Sequence, residues 1–338
     1  MNKHLELTPT KGLSEAQWQE LRRSFSLRGM IGGSDAGALL GLDGKYRSPI
    51  TLYYDALGLS GKEVKMNEVM LHGKLLEGHI ANLWQYWSGD SNGMVLNFHE
   101  GVKVRSCREY KYIAVNPRYP HLFANIDRLI TKHPTWGKTK GVLEIKTIRS
   151  SVSDMYTLGV PPKYMVQCQE YMMVYDLPYA EIAYLKDGSS VNVLTFESDK
   201  ELQQRIEDAA AGHSYRVTSA IAEMERFNEQ HGFLTEDDAR KIAMEYEPEA
   251  DGLISTEGFF SDRHQSLQNT LEIMGSDTHY GWGRKYKEFD AAAKEAEEQK
   301  LLYRTKLQQF MQKNGANSIV FPDDAGTVNW RKIFKVNI

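Results

Sequence analysis

GVLEIKTIRSS, residues 141–151, sets two charges inside an apolar run. Val142, Leu143, Ile145 and Ile148 have the character of a buried β-strand, yet Glu144 and Lys146 stand among them. Side chains alternate across a strand, so Val142, Glu144 and Lys146 point to one face while Leu143 and Ile145 point to the other. Glu144 and Lys146 are therefore neighbours, with β-carbons roughly 6–7 Å apart. Burying such a pair costs several kcal/mol per charge unless each group finds a partner.

The preceding run, LFANIDRLITKH (122–133), holds a partner. As a strand it places Asp127 on one face with Asn125 and Leu129, an acid in an otherwise apolar segment. Asp127 and Glu144 are 17 positions apart (144 − 127), a separation that suits two paired strands and a loop. An aspartate, then a glutamate with a lysine two residues on, has an explicit chemistry. Two carboxylates hold a hard divalent cation through oxygen, typically Mg²⁺ or Mn²⁺. The cation lowers the pKa of a bound water and neutralises phosphate charge. The lysine orients that water or stabilises charge on phosphorus. The competing reading is an ordinary edge-strand salt bridge.

Further residues bear on the choice. NEVMLHGKLLEGHIANLWQYWSG (67–89) has a helical stripe through Met70, Gly73, Glu77, Ile80, Ala81, Trp84 and Trp87, so Glu77 lies on its inward side. Glu77 is either a boundary carboxylate or a third acid of the same site. KYMVQCQEYMMVYD (163–176) spaces Tyr164, Gln167 and Tyr171 along one helix face, a core stripe or a polar helix facing the site. Gly32, Gly33 and Ser34 suggest backbone N–H groups at a helix start, suited to an anion, with Ser34 also an N-cap. Arg28 just upstream offers a fork for phosphate. His72 and His79 are seven apart, a poor spacing for a zinc pair, and read as surface or substrate-facing; Trp84 and Trp87 read as core.

The whole chain has 338 residues, 41% hydrophobic and 25% charged, enough for a full core and an appendage. A net charge of −4 disfavours non-specific coating of nucleic acid, so any such site is a local basic groove. Two cysteines, Cys107 and Cys168, exclude a disulfide framework and a four-cysteine cluster. With no signal peptide and no apolar run of about 18 residues, a soluble cytoplasmic protein without membrane contact is expected. Residues 14–24 read as a polar helix opened by Ser14, 48–59 as a helix, 94–148 as strands, 179–198 as a hairpin turned at Asp187-Gly188, and 198–230 as a long helix. Residues 1–230 are thus expected to form an α/β core. The remainder, 231–338, reads as a linker with small helices, a charge-laced helix (285–313) and a terminal β-hairpin.

The ordered set Arg-x(5)-Ser-Asp, G-x-x-x-E, I-D, E-I-K-T and Y-x-x-Q-x-x-x-Y resembles the PD-(D/E)xK nucleases, and more narrowly the YqaJ-like viral recombinase, or lambda exonuclease, group. The resemblance covers roughly residues 22–185. It implies a restriction-endonuclease-like mixed sheet flanked by helices. Asp127, Glu144 and the Ile145 carbonyl would be metal ligands, with Glu77 close by. Lys146 would be catalytic, Gln167 and Tyr164 would line the site, and Arg28 and Ser34 would hold a 5′-phosphate. It further implies Mg²⁺-dependent (Mn²⁺ substituting) 5′-to-3′ degradation of duplex DNA ends, in a phage or prophage setting. The partner would be a single-strand annealing protein, and the enzyme a homo-oligomer such as a ring trimer. A related endonuclease and a non-catalytic DNA-binding scaffold are the alternatives. The loop HPTWGKTKG (133–141) lengthens the Asp-to-Glu spacing, and the segment after 230 has no counterpart in the compact phage enzyme.

Overall fold

A computed structural model describes residues 4–43, 45–60, 67–249, 251, 253, 255, 259, 276–314, 318–320 and 327–329. Two compact units divide the chain, Met1–Ser266 and Leu267–Ile338. In the first, a five-stranded sheet has the order β3-β6-β7-β8-β9. These strands are β3 (Ser106–Glu109), β6 (Arg128–Lys132), β7 (Gly141–Ile148), β8 (Tyr179–Lys186) and β9 (Ser190–Glu197). Only β7 and β8 run parallel, so the sheet is mixed. Their crossover carries helix α7 (Pro162–Tyr175), whose proline sits in the first turn where its missing N–H costs nothing.

Helices cover both faces. On one, Val142, Ala180 and Ile182 pack with Val166, Met172 and Met173 of α7, and with Ile206 and Ala210 of α8 (Lys200–His231). On the other, Leu143, Ile145 and Ala183 pack with Ile80, Ala81 and Trp84 of α4 (Glu68–Trp84). The even positions of β7 thus face α7 and the odd ones face α4, as strand alternation requires. This is the α/β core expected from the residues, with the mixed sheet between helices that the resemblance implies.

Three short strands, β1 (Glu6–Pro9), β4 (Tyr112–Val115) and β5 (Leu122–Phe123), and the two-residue β2 (Ile31–Gly32) lie outside the main sheet. β1 pairs with β4, and β2 runs parallel to β5. Helix α1 (Glu15–Ser26) opens with a full capping box between Ser14 and Gln17. Helix α2 (Gly33–Leu39) follows β2, and α3 (Pro49–Ala56) carries Tyr53 and Tyr54 into the core.

Several expectations are corrected. Residues 94–100 do not have a period of two: they belong to a helix, α5 (Ser91–Glu100), capped by Asp90 and ended by Gly101 in the left-handed region. Asp90 as N-cap and glycine at the C-terminus were the available signals. Met70 is exposed, and α4 stops at Trp84, although Trp87 beyond it is buried. Asp127 lies just ahead of β6 rather than within a strand. Ser34 is not an N-cap; Gly32 occupies that position. The expected boundary near 230 falls inside the first unit. Helix α9 (Glu236–Tyr246) lies beyond it and packs with α8, and the Tyr53 hydroxyl donates to the Ala243 carbonyl at 2.8 Å. Among the described residues no helix is long and apolar enough to cross a membrane.

The second unit contains α10 (Asp277–Lys313) and an antiparallel pair, β10 (Ser318–Val320) with β11 (Thr327–Asn329). The rest of the expected terminal hairpin lies outside the described residues.

His213 of α8 is buried, and its imidazole is pushed down to about 4; burial dominates, with Arg47 and Arg216 adding to it against the pull of Asp35. The unfolded chain binds a proton near pH 6.5 that the folded chain refuses until about pH 4. Stability is therefore full above pH 6.5 and falls as pH drops through that window, by about 3 kcal/mol from this group. His213→Gln is expected to flatten this part of the pH–stability curve in denaturant titrations. An unchanged slope would show that His213 is not the group responsible.

Candidate active site

One cleft is lined by Trp18, Arg22, Gly32–Ser34, Ile113, Phe123, Asn125, Asp127, Glu144, Lys146, Gln167 and Tyr171. Its floor is the β7 face toward α7. Arg128 pairs with Leu143 across the β6–β7 ladder, so Asp127, one residue earlier, stands opposite Glu144. The Asp127 Oδ2 accepts the Ile145 N–H at 2.8 Å. A strand residue's N–H and C=O project to the same side, so the Ile145 carbonyl also points past the end of β6.

Glu144 is only 1% exposed. One oxygen, Oε1, accepts from Gln167 Nε2 at 2.8 Å and contacts the Lys146 ammonium. Gln167 also bonds the Tyr171 hydroxyl at 2.8 Å, which fixes its amide. The other oxygen, Oε2, is buried without a hydrogen-bond partner. Burial, then the Asp127 charge, push the Glu144 carboxyl up to about 8, against the pull of Lys146. Burial also works against the Lys146 ammonium, but the Glu144 and Asp127 charges outweigh it and hold its pKa above the ordinary range. The ammonium lies 4.9 Å from the Tyr164 ring centre. Two carboxyl groups thus share the floor with one ammonium, and the buried Glu144, raised to about 8, is poorly disposed to carry charge without a cation.

Glu77 lies at the edge. Its Oε1 accepts from Arg128 Nη1 at 2.5 Å. Burial and then the nearby Asp127 raise its pKa, and Arg128 opposes them. Among the described residues no group of three or more His, Cys, Asp or Glu is gathered to hold a metal. A cation here would use two carboxylates, Asp127 and Glu144, with backbone and water oxygens, a donor set that suits Mg²⁺. The bare buried Oε2 beside a second carboxylate fits that group.

At the opposite wall stands Arg22 rather than Arg28. Arg22 Nη2 donates to the Ser34 hydroxyl and lies 3.2 Å from Asp35 Oδ2. Arg28 is exposed, with its guanidinium over the Phe25 ring, and is not among the residues lining the cleft. The signal for Arg22 was its place four residues after Trp18 on α1, one turn along the same face, with the guanidinium 5.6 Å from that ring. The glycine pair serves close packing: a β-carbon on Gly33 would lie 2.5 Å from the Tyr171 ring, and one on Gly32 2.8 Å from Phe123. Trp18 and Asn125 join the cleft without having been singled out as binding groups, and Tyr171 joins it from the helix face it shares with Gln167. His72 and His79 are exposed.

If Asp127 and Glu144 bind a divalent cation, Mg²⁺ raises the thermal stability of the wild type, by about 2.7 kcal/mol at a hundredfold excess over Kd. Glu144→Gln removes the response. A melting curve indifferent to Mg²⁺, or an equal rise in Glu144→Gln, would contradict the assignment.

Residues 17–178 match the family model of the YqaJ-like viral recombinase domain. The uncharacterized protein YqaJ of Bacillus subtilis (strain 168) is 29% identical over 199 residues, which are 58% of this chain and 54% of that protein. The match therefore spans about half the length of the curated relative. Among solved structures, the alkaline exonuclease LHK-Exo from Laribacter hongkongensis is 18% identical, with 62% of this chain and 98% of that one covered and a TM-score of 0.44. A phage related exonuclease from Haemophilus somnus 129PT is 15% identical, with 58% and 96% covered and a TM-score of 0.35. The cleft's Arg22, Asp127, Glu144, Lys146 and Gln167 all fall inside residues 17–178, the segment similar to the YqaJ-like viral recombinase domain.

Proposed function

We propose that the protein is a Mg²⁺-dependent deoxyribonuclease that degrades duplex DNA from a 5′ end. The observation that carries this reading is the Glu144 carboxylate, buried with a bare oxygen opposite Asp127 and touching the Lys146 ammonium. Asp127, Glu144 and the Ile145 carbonyl would hold the cation; when bound, it would activate water and neutralise phosphate charge. Gln167 fixes the orientation of Glu144 through its amide. Lys146 is held as an ammonium and offsets negative charge developing on the phosphoryl oxygens. Glu77, tied to Arg128, borders the site and contributes charge to it rather than a direct ligand.

The end specificity is assigned to Arg22 and Ser34. A guanidinium fork and a hydroxyl suit a terminal phosphate dianion, which carries more charge than an internal phosphodiester. Tyr164, over whose ring the Lys146 ammonium lies, would meet the nucleotide at the scissile bond. The product would be a 3′ overhang, which a single-strand annealing protein can receive. Self-association into a ring would keep such an enzyme on its substrate. Mn²⁺ should replace Mg²⁺, since both favour oxygen donors.

End-labelled linear duplex with a 5′-phosphate is expected to be consumed from that end in Mg²⁺, the 5′-hydroxyl form poorly, and closed circles not at all. Asp127→Asn, Glu144→Gln and Lys146→Ala should each lose cleavage, because the three act as one unit. Arg22→Ala should narrow the gap between phosphate and hydroxyl ends by ~1.5–3 kcal/mol, while Arg28→Ala leaves it unchanged. Rapid nicking of closed circles would favour an endonuclease. Full activity in excess chelator would remove the metal reading.

A truncation after Ser266 keeps every proposed ligand and the α8–α9 packing. It should retain Mg²⁺-dependent cleavage. A folded but inactive product on every duplex would show that the C-terminal unit belongs to the catalytic apparatus.

A further inference from the structure

A row of alternating cations and aromatic rings leaves the cleft beside Lys146. The Lys146 ammonium lies 4.9 Å from the Tyr164 ring centre, and Lys163 Nζ lies 5.5 Å from the same ring. Lys163 Nζ is also 5.7 Å from the Tyr46 ring centre, and Lys45 Nζ lies 5.4 Å from that ring. The order from the catalytic floor outward is therefore Lys146, Tyr164, Lys163, Tyr46, Lys45. Tyr46 is the outer ring of the row, at 68% exposure.

The row is held in place. Lys163 donates to Asp43 at 2.8 Å, which ties the segment after α2 to the start of α7. The N–H groups of Tyr46 and Arg47 both return to the Asp43 carbonyl, at 2.8 and 3.0 Å. Arg47 pairs with Asp35 and with Asp55, in the latter case at 2.8 Å. Underneath, Gly37 packs so closely on Lys163 that an added β-carbon would lie 2.6 Å from the lysine's own. An exposed tyrosine on a flexible loop would carry no argument; here the backbone under Tyr46 is pinned to two helices.

Alternating ammonium groups and aromatic faces match the alternation of phosphates and bases in a single strand. Bases inside a duplex present no free face, whereas unpaired bases stack on aromatic rings with little dependence on sequence. We infer that Tyr46, with Lys45 and Lys163, forms a binding site for a single-stranded polynucleotide that continues from the catalytic cleft, one base stacking on the Tyr46 ring. The inference rests on the nuclease reading for its direction but has its own ligand, an unpaired strand, and its own residues. The backbone of the row stays fixed while the Lys45 and Lys163 side chains swing from the rings to the phosphates, Lys163 giving up Asp43, and the bases take their place.

The test is fluorescence anisotropy of the full chain with a labelled dT12 oligonucleotide in EDTA, where no strand is cut. Tyr46→Ala is expected to weaken dT12 binding roughly tenfold, and Tyr46→Phe, which keeps the ring, to stay close to wild type. On a twelve-unit abasic sugar-phosphate chain, wild type and Tyr46→Ala should bind alike. Unchanged dT12 affinity in Tyr46→Ala, or an equal loss on the abasic chain, would overturn the stacking site. The same preparations given Mg²⁺ and duplex separate the two readings. Cleavage without a Tyr46 effect on binding overturns this inference alone. Binding through Tyr46 without any cleavage by wild type overturns the nuclease reading alone.

Discussion

A carboxylate in the middle of a buried strand organises this cleft. Glu144 sits on the α7 face of the sheet, with Asp127 brought opposite by the β6–β7 register. Two carboxyl groups this close do not both carry charge easily in a poorly solvated place, and burial with the Asp127 charge pushes Glu144 up to about 8. The surrounding elements offset that cost only in part. Gln167 and Lys146 serve one oxygen of Glu144, and the other is left bare.

The same sheet shows what a purely structural buried carboxylate looks like. Glu181 of β8 is fully buried on the opposite, α4 face, and it receives Arg105 Nη1, Trp84 Nε1 at 2.8 Å and Thr195 Oγ1 at 2.9 Å, with His133 Nε2 at 3.0 Å. Burial works against its charge, yet the His133 and Arg105 contacts hold its pKa below the ordinary value. That cluster locks α4 to the sheet through Trp84. Glu170 of α7 offers a second contrast: both its oxygens are buried and bare, and burial pushes its pKa well up. An unpartnered oxygen by itself therefore does not mark a metal site. Glu144 differs from Glu170 in having a second carboxylate across the strand pair, an ammonium in contact and an opening to the cleft.

Much of this was legible in the residues. The period of two around Glu144 and Lys146 placed both on one face, and the helical spacing of Gln167 and Tyr171 brought them over it. Trp84 and Trp87 read as core and are buried. What sequence could not supply was distance in space. Arg28 is nearer than Arg22 to Ser34 along the chain, but α1 turns Arg22 into the cleft, because one helical turn from Trp18 puts both on the same wall. The strand reading of residues 94–100 failed because Val95, Leu96 and Phe98, taken alone, fit either period, and the caps at Asp90 and Gly101 decide for helix. Beyond 230, where small helices were expected, α9 carries a short buried stripe of Ala239, Ile242 and Ala243, and the first compact unit runs on to Ser266.

Diffraction from crystals soaked in Mn²⁺, recorded for its anomalous signal, tests the central claim most directly. The account predicts a peak between the Asp127 and Glu144 carboxylates, within coordination distance of the bare Glu144 oxygen and absent from Glu144→Gln crystals. Mn²⁺ bound elsewhere while this cleft stays empty, or an unaltered peak in Glu144→Gln, would contradict it.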